Sequence, residues 1–184
     1  MKKSILGLAV STLFIVGAAQ ASVNPNDVSA TLSVTGSVTH IVSCSVNISS
    51  PTVDLSADAD QMVNQGDAGS TNVKTVSLRL TGSEECSDMA GQGKISYSFL
   101  GTKDSSAGTS LANSMTGANA AEGVGIALYN TANDNSIIAL NQDTMLASAD
   151  PAGIDLGLGL VKLNGQTVKA GSVQGSVTIQ IERL

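Results

Sequence analysis

The sequence predicts an all-β chain, folded as a sandwich of short strands. Three observations point to it. Runs with a two-residue apolar period recur along the chain, as at 73–80 (VKTVSLRL), 94–100 (KISYSFL) and 124–130 (VGIALYN). Clusters rich in Gly, Ser, Asn and Asp separate these runs, and such residues favour turns. No long segment carries the 3.6-residue apolar period of an amphipathic helix.

The first element is a leader. Lys2 and Lys3 precede an apolar stretch at 5–19, and Ala19 and Ala21 make a small-x-small cleavage site before Ser22. This is the pattern of a secretory signal peptide over 1–21, too short in its apolar part for a bilayer span of about 20 residues. The remaining 163 residues or so suit one domain. Without Lys2 and Lys3, seven basic and 15 acidic residues leave a net charge of −8. Such a chain repels phosphate backbones, which argues against nucleic acid as a partner.

The strands follow in order: 37–48, 73–80 with Val76, Leu78 and Leu80 on one face, and 94–100 with Ile95, Tyr97 and Phe99 on one face. Next come 124–130 with Val124, Ile126 and Leu128 aligned, then 136–140, 156–163 and 174–183. Loops are expected at 101–110, 130–136, 149–153 and 163–168, and at most a turn of helix at 109–115. Seven or more short strands joined by turns argue a β-sandwich. Cys44 and Cys86, an even count in an exported chain, read as one disulfide rather than two free thiols.

Chemistry is sparse. His40 is the only histidine and has no acidic partner nearby in sequence, nor is there a G-x-S-x-G element, so a nucleophilic triad lacks material. The acidic stretch 54–60 (DLSADAD) lacks the glycine and distal glutamate of a calcium loop, and reads as a solvated loop. Glu84, Glu85 and Asp88 beside Cys86 could serve acid–base work, but fit a water-facing loop better. Two Tyr, two Phe and no Trp leave little for stacking on sugars or bases. No cofactor or metal is expected.

The two ends of the mature chain carry the functional signal. In 28–38 (VSATLSVTGSV), Val28, Ala30, Leu32 and Val34 share one face, with Gly36 as a joint. The segment has no hairpin partner beside it and reads as an arm. At the other end, Val177, Ile179 and Ile181 share a face of the last strand, where an immunoglobulin-like sandwich would have one further strand. The expectation is an incomplete immunoglobulin-like β-sandwich lacking its final strand, with an N-terminal donor-strand extension at 22–36 and the domain at 37–184. An arm from one copy would complete the next by strand addition, head to tail.

On these residues the chain resembles the subunits of chaperone–usher pili, similar to type 1 fimbrial subunits of Gram-negative bacteria. The carriers are TLSVTGSVTHIVSCSV (31–46), VSLRLTGSEEC (76–86), YSFLGT (97–102), GVGIALYN (123–130) and Gly171, fourteenth from the C-terminus. Arg183 and Leu184 depart from the family, which usually has an aromatic second from the end. The resemblance implies a fimbrial subunit that is no enzyme. It would be exported through the periplasm to the cell surface and polymerised by donor-strand exchange in support of adhesion. Its implied partners are neighbouring subunits, a periplasmic chaperone and an outer-membrane usher. Val28, Ala30, Leu32 and Val34 would be the donor strand. Gly171, Val177, Ile179, Ile181 and Leu184 would form the acceptor-groove edge and chaperone contact. Two other readings stand beside it: a self-contained exported immunoglobulin-like module binding carbohydrate or host protein, and a hydrolase using Glu84 or Asp58.

Overall fold

The computed structural model describes residues 33, 35–36, 42–68 and 73–184. The leader at 1–21, the donor positions Val28, Ala30, Leu32 and Val34, and His40 lie outside the described residues. The chain divides between Thr39 and His40, and the fold below is that of His40–Leu184. Of the earlier part, Ser33, Thr35 and Gly36 are described, each exposed.

Among the described residues ten strands build two sheets. The larger has the order β1 (Cys44–Ile48), β3 (Lys74–Gly82), β9 (Ile154–Lys162), β6 (Val124–Asn130) and β5 (Leu111–Ala112). On it, β2 (Val63–Asn64) joins β9 and β7 (Ser136–Ile138) joins β6. The smaller is β10 (Val177–Arg183), β4 (Ile95–Gly101) and β8 (Thr144–Leu146). Every pairing is antiparallel except β2 with β9.

The alternation read from the sequence sets the core. Val76 and Leu78 of β3, Ile126 and Leu128 of β6, and Leu156 and Leu158 of β9 share the principal cluster with Ile95, Tyr97 and Phe99 of β4. Each fully buried aliphatic or aromatic side chain contributes roughly 1.5–3 kcal/mol, so this layer dominates stability. Burial pushes the Tyr97 hydroxyl up to about 12, so it stays neutral inside the core. The outer face of the larger sheet carries a smaller cluster of Ala127, Tyr129 and Val161. Tyr129 lies opposite Gly157 on β9. A Cβ at Gly157 would come within 2.6 Å of Val73 and 3.1 Å of Tyr129, so glycine there makes room for the covering layer.

Among the described residues one α-helix interrupts the β pattern. Residues 84–88, expected in a loop, open α1 (Glu84–Gly91). Glu84 and Glu85 sit in its first turn, where the positive end of the helix dipole favours them. Cys86 and Ala90, four residues apart, are its buried face. Residues 109–115, expected to give at most a helical turn, instead contain β5. Among the described residues no helix is long and apolar enough to cross a membrane.

Cys44 at the start of β1 is bonded to Cys86 of α1, with their Cα atoms 5.7 Å apart. The bond closes a loop with a sequence separation of 42. Replacing both cysteines by serine should lower unfolding free energy by about 4 kcal/mol on the chain-entropy model. Urea denaturation of the paired variant against the parent checks this; a loss below about 1 kcal/mol would mean that the reduced chain is already constrained there.

Candidate functional site

β10 is an edge strand of the smaller sheet and β1 an edge strand of the larger. No ladder joins them. Between them opens a groove with an apolar cavity of about 220 Å³. Val177 and Ile179 of β10 form one lip. Ile48 of β1, followed by Pro51, Val53 and Leu55, forms the other. Val76, Leu111, Ile126, Leu156 and Leu158 are the floor. The groove continues past Leu160 and Val173, and a smaller apolar pocket at its far end is lined by Met62, Ala121, Val124 and Gly171.

The backbone along β10 is directed as well. The Leu184 amide donates to Lys94 O at 3.0 Å, and the register pairs Glu182 with Ser96, Gln180 with Ser98 and Thr178 with Leu100. An antiparallel ladder uses alternate residues, so these even-numbered residues bond β4. Phe99 O and Ile95 O accept from Asn141 and Ala147 on the opposite side of β4, which fits the same alternation. Val177, Ile179 and Ile181 therefore turn their N–H and C=O groups toward the open edge. β1 obeys the same rule: the Ser49 amide donates to Ser77 O and Ser43 O accepts from Ser83, so Cys44, Val46 and Ile48 turn theirs away from β3. Both lips thus present half-exposed aliphatic side chains and unpaired backbone groups from the same residues.

The expected edge positions are brought together only in part. Val177 and Ile179 line the cavity, and Ile181 packs partly buried against the same core. Gly171 lies at the far pocket, where its role is close approach: a Cβ there would sit 2.5 Å from Ala120 C and Ala121 N. Leu184 is 67% exposed. Arg183 donates through Nη2 to Val42 O, fastening the end of β10 to the residues before β1.

The opposite lip was missed in the sequence. Val53, Leu55 and Ala57 have a two-residue apolar period, the signal that would have found it, but three aspartates at 54, 58 and 60 gave the stretch the look of a solvated loop. Glu84 and Asp58 share no site: one starts α1 and the other precedes the 3₁₀ turn Ala59–Gln61. Among the described residues the aromatics Tyr97, Phe99 and Tyr129 are fully buried, so none of them offers a surface to a sugar ring.

The floor is fixed by a polar staple. Leu111 follows a loop wound around Asp104, which is 6% exposed. Asp104 Oδ1 accepts from the amides of Ser106 at 2.8 Å and Gly108 at 3.2 Å. Its Oδ2 accepts from the Ser110 amide at 2.9 Å and from Gln65 Nε2 at 2.7 Å. Burial pushes the carboxyl pKa up, but the donors from Ser110, Gln65, Gly108 and Ser106 outweigh it and hold the group below 3.8.

The fold class is therefore a mostly β, two-sheet one with an apolar groove between two strand edges. The family model for fimbrial protein matches residues 32–182, and the chain belongs to that family. Among solved structures the fold is similar to the P pilus rod subunit PapA, with a TM-score of 0.53 at 14% identity over 84% of this chain and 100% of that one. No curated protein matches the sequence. The chain is accordingly a structural subunit of a cell-surface fimbria, polymerising with other subunits, and not an enzyme.

The depressed Asp104 pKa fixes the sign of an acid effect. Its stabilisation is full above the ordinary carboxylate value of 3.8 and is lost as pH falls through the lower folded-state value. Asp104→Asn sets an amide against the loop's N–H donors and should cost about 1–3 kcal/mol at neutral pH. Urea midpoints from pH 7 to pH 2 should fall less steeply below pH 4 for Asp104→Asn than for the parent, and parallel acid limbs would count against the staple.

Proposed function

We propose that this chain polymerises by donor-strand exchange. Val28, Ala30, Leu32 and Val34 of one subunit enter the groove of the next and complete an otherwise incomplete immunoglobulin-like sandwich. The observation that carries the reading is the outer edge of β10, open along Val177, Ile179 and Ile181 beside an apolar groove. An edge so built is a hazard unless a strand covers it. The arm has the matching pattern, with apolar residues at alternate positions and small polar ones between. Extended, 28–38 spans about 33 Å at 3.3 Å per residue, against about 40 Å for the lip from 171 to 183.

The contact is heterologous, groove on one copy and arm on the other, so it propagates as a filament. Each large aliphatic side chain buried contributes roughly 1.5–3 kcal/mol and Ala30 less, and the ladder of backbone bonds adds to this. Before assembly, a periplasmic chaperone lends a strand to the same edge, with the Leu184 carboxylate as a contact, and an outer-membrane usher is the place of exchange. The domain begins at 37, the donor extension occupies 22–36, and 1–21 is removed on export. The assembled fimbria supports adhesion of the cell that bears it.

The test appends a second copy of 27–38 through a flexible linker after Leu184, in the full-length precursor, and compares the exported products. The appended strand should raise the thermal midpoint by about 10 °C or more and suppress polymerisation. Equal midpoints, with the unextended chain already a cooperatively unfolding monomer, would overturn the proposal in favour of a self-contained binding module.

A further inference from the structure

The groove lip does not end where β10 ends. From 171 to 176 the chain continues in line with β10 but has left β4, and its support comes from residues 113–121. Ser172 donates to Asn119 O at 2.7 Å and accepts from the Ala121 amide at 3.0 Å. Gln174 O accepts from the Ser114 amide at 2.8 Å. The even-numbered residues are again the bonded ones, so Val173 and Gly175 extend the open edge begun by Val177, Ile179 and Ile181. This half of the lip is not a regular ladder. Only a single bridge, Ala120 with Ser172, marks it.

One side chain spans the gap. Asn113 Nδ2 donates to Ala121 O at 2.9 Å and to Ser172 O at 3.0 Å. Its Oδ1 accepts from the Met115 amide and from the Gln174 amide, each at 3.0 Å. The carboxamide makes four hydrogen bonds, two of them to the lip, and so uses its donors and acceptors fully. Asn113 follows β5 directly and thus ties the lip to the element that supplies Leu111 to the groove floor.

We infer that Asn113 is a positioning residue for strand capture: its carboxamide holds 172 and 174 so that the backbone of Val173 and Gly175 meets an incoming strand in register with β10. Resting on the donor-strand reading, the inference assigns control of one end of the captured strand to a side chain that the strand need not touch. Asn113 acts through the lip, so its loss should be felt at that end alone.

The experiment refolds the full chain with synthetic arm peptides covering 27–38, 27–34 and 31–38, and follows capture rates for the parent and Asn113→Ala. Loss of the two lip bonds should slow capture of the full peptide about tenfold. One shortened peptide, the one that stops short of 171–175, should be captured equally by both proteins. A uniform slowing of all three peptides, or no slowing of any, would overturn the inference. A parent that captures none of them would overturn the donor-strand reading itself. Hydrogen exchange on the free parent is the second measurement and needs no variant. The Gln174 amide should be as protected as the Thr178 and Gln180 amides, while Val173 and Gly175 exchange rapidly until peptide is added. Rapid exchange at Gln174 would overturn the inference even if Asn113→Ala fails to fold.

Discussion

A strand edge that is both aliphatic and hydrogen-bond-deficient cannot rest against water at low free energy, and this fold is organised around one. The strand alternation puts the same residues in charge of both problems. Val177, Ile179 and Ile181 direct side chains toward the core and backbone groups toward the open side. Polar substitution on the groove-facing side would relieve the exposure but remove the apolar surface offered to the proposed donor strand. The edge is retained, and the surrounding structure keeps it straight. β4 supports one half of the lip, the 113–121 segment supports the other, and the Asp104 loop seats Leu111 beneath. An unsatisfied sheet edge gives the donor-strand polymerisation proposed above a local physical cause.

Much of the fold was legible in the sequence, because long strands with one buried face carry a strong local pattern. The runs at 73–80, 94–100 and 124–130 became β3, β4 and β6 with the expected faces inward. Other elements are set by contacts distant in sequence. β2 and β5 have two residues each and β8 three, too few for any period to register. α1 has only Cys86 and Ala90 buried, and its acidic first turn resembles a solvated loop until the disulfide is seen to anchor it. Half of the groove was readable in the β10 alternation. The lip at 53–57 was hidden among aspartates, and the supporting role of Asn113 depends on carbonyls 8 and 59 residues away.

Identity of 14% to the P pilus rod subunit PapA, with a shared fold, fits this division. A sandwich needs alternation, turn chemistry and a few buried aromatics more than it needs particular residues. Here the large buried side chains are concentrated in β3, β4, β6 and β9, with Ala90 and Ala147 packed among them. With Tyr97, Phe99 and Tyr129 inside, no aromatic among the described residues adds to the apolar surface of the groove.

The disulfide has a mechanical side. Cys44 is the first residue of β1, and the covalent bond to Cys86 grips the chain where residues 42–43 enter the sheet. Tension applied through residues 42–43 meets the Arg183–Val42 and Ser83–Ser43 hydrogen bonds first and then, at Cys44, a covalent cross-link that stands ahead of the rest of the β1–β3 ladder. The pull is passed to α1 and the body of the domain, and β1 is spared from being peeled open one bond at a time. A filament of such subunits, when stretched, would yield first at its joints or within the lips of its grooves, while the strand that leads into each subunit stays folded.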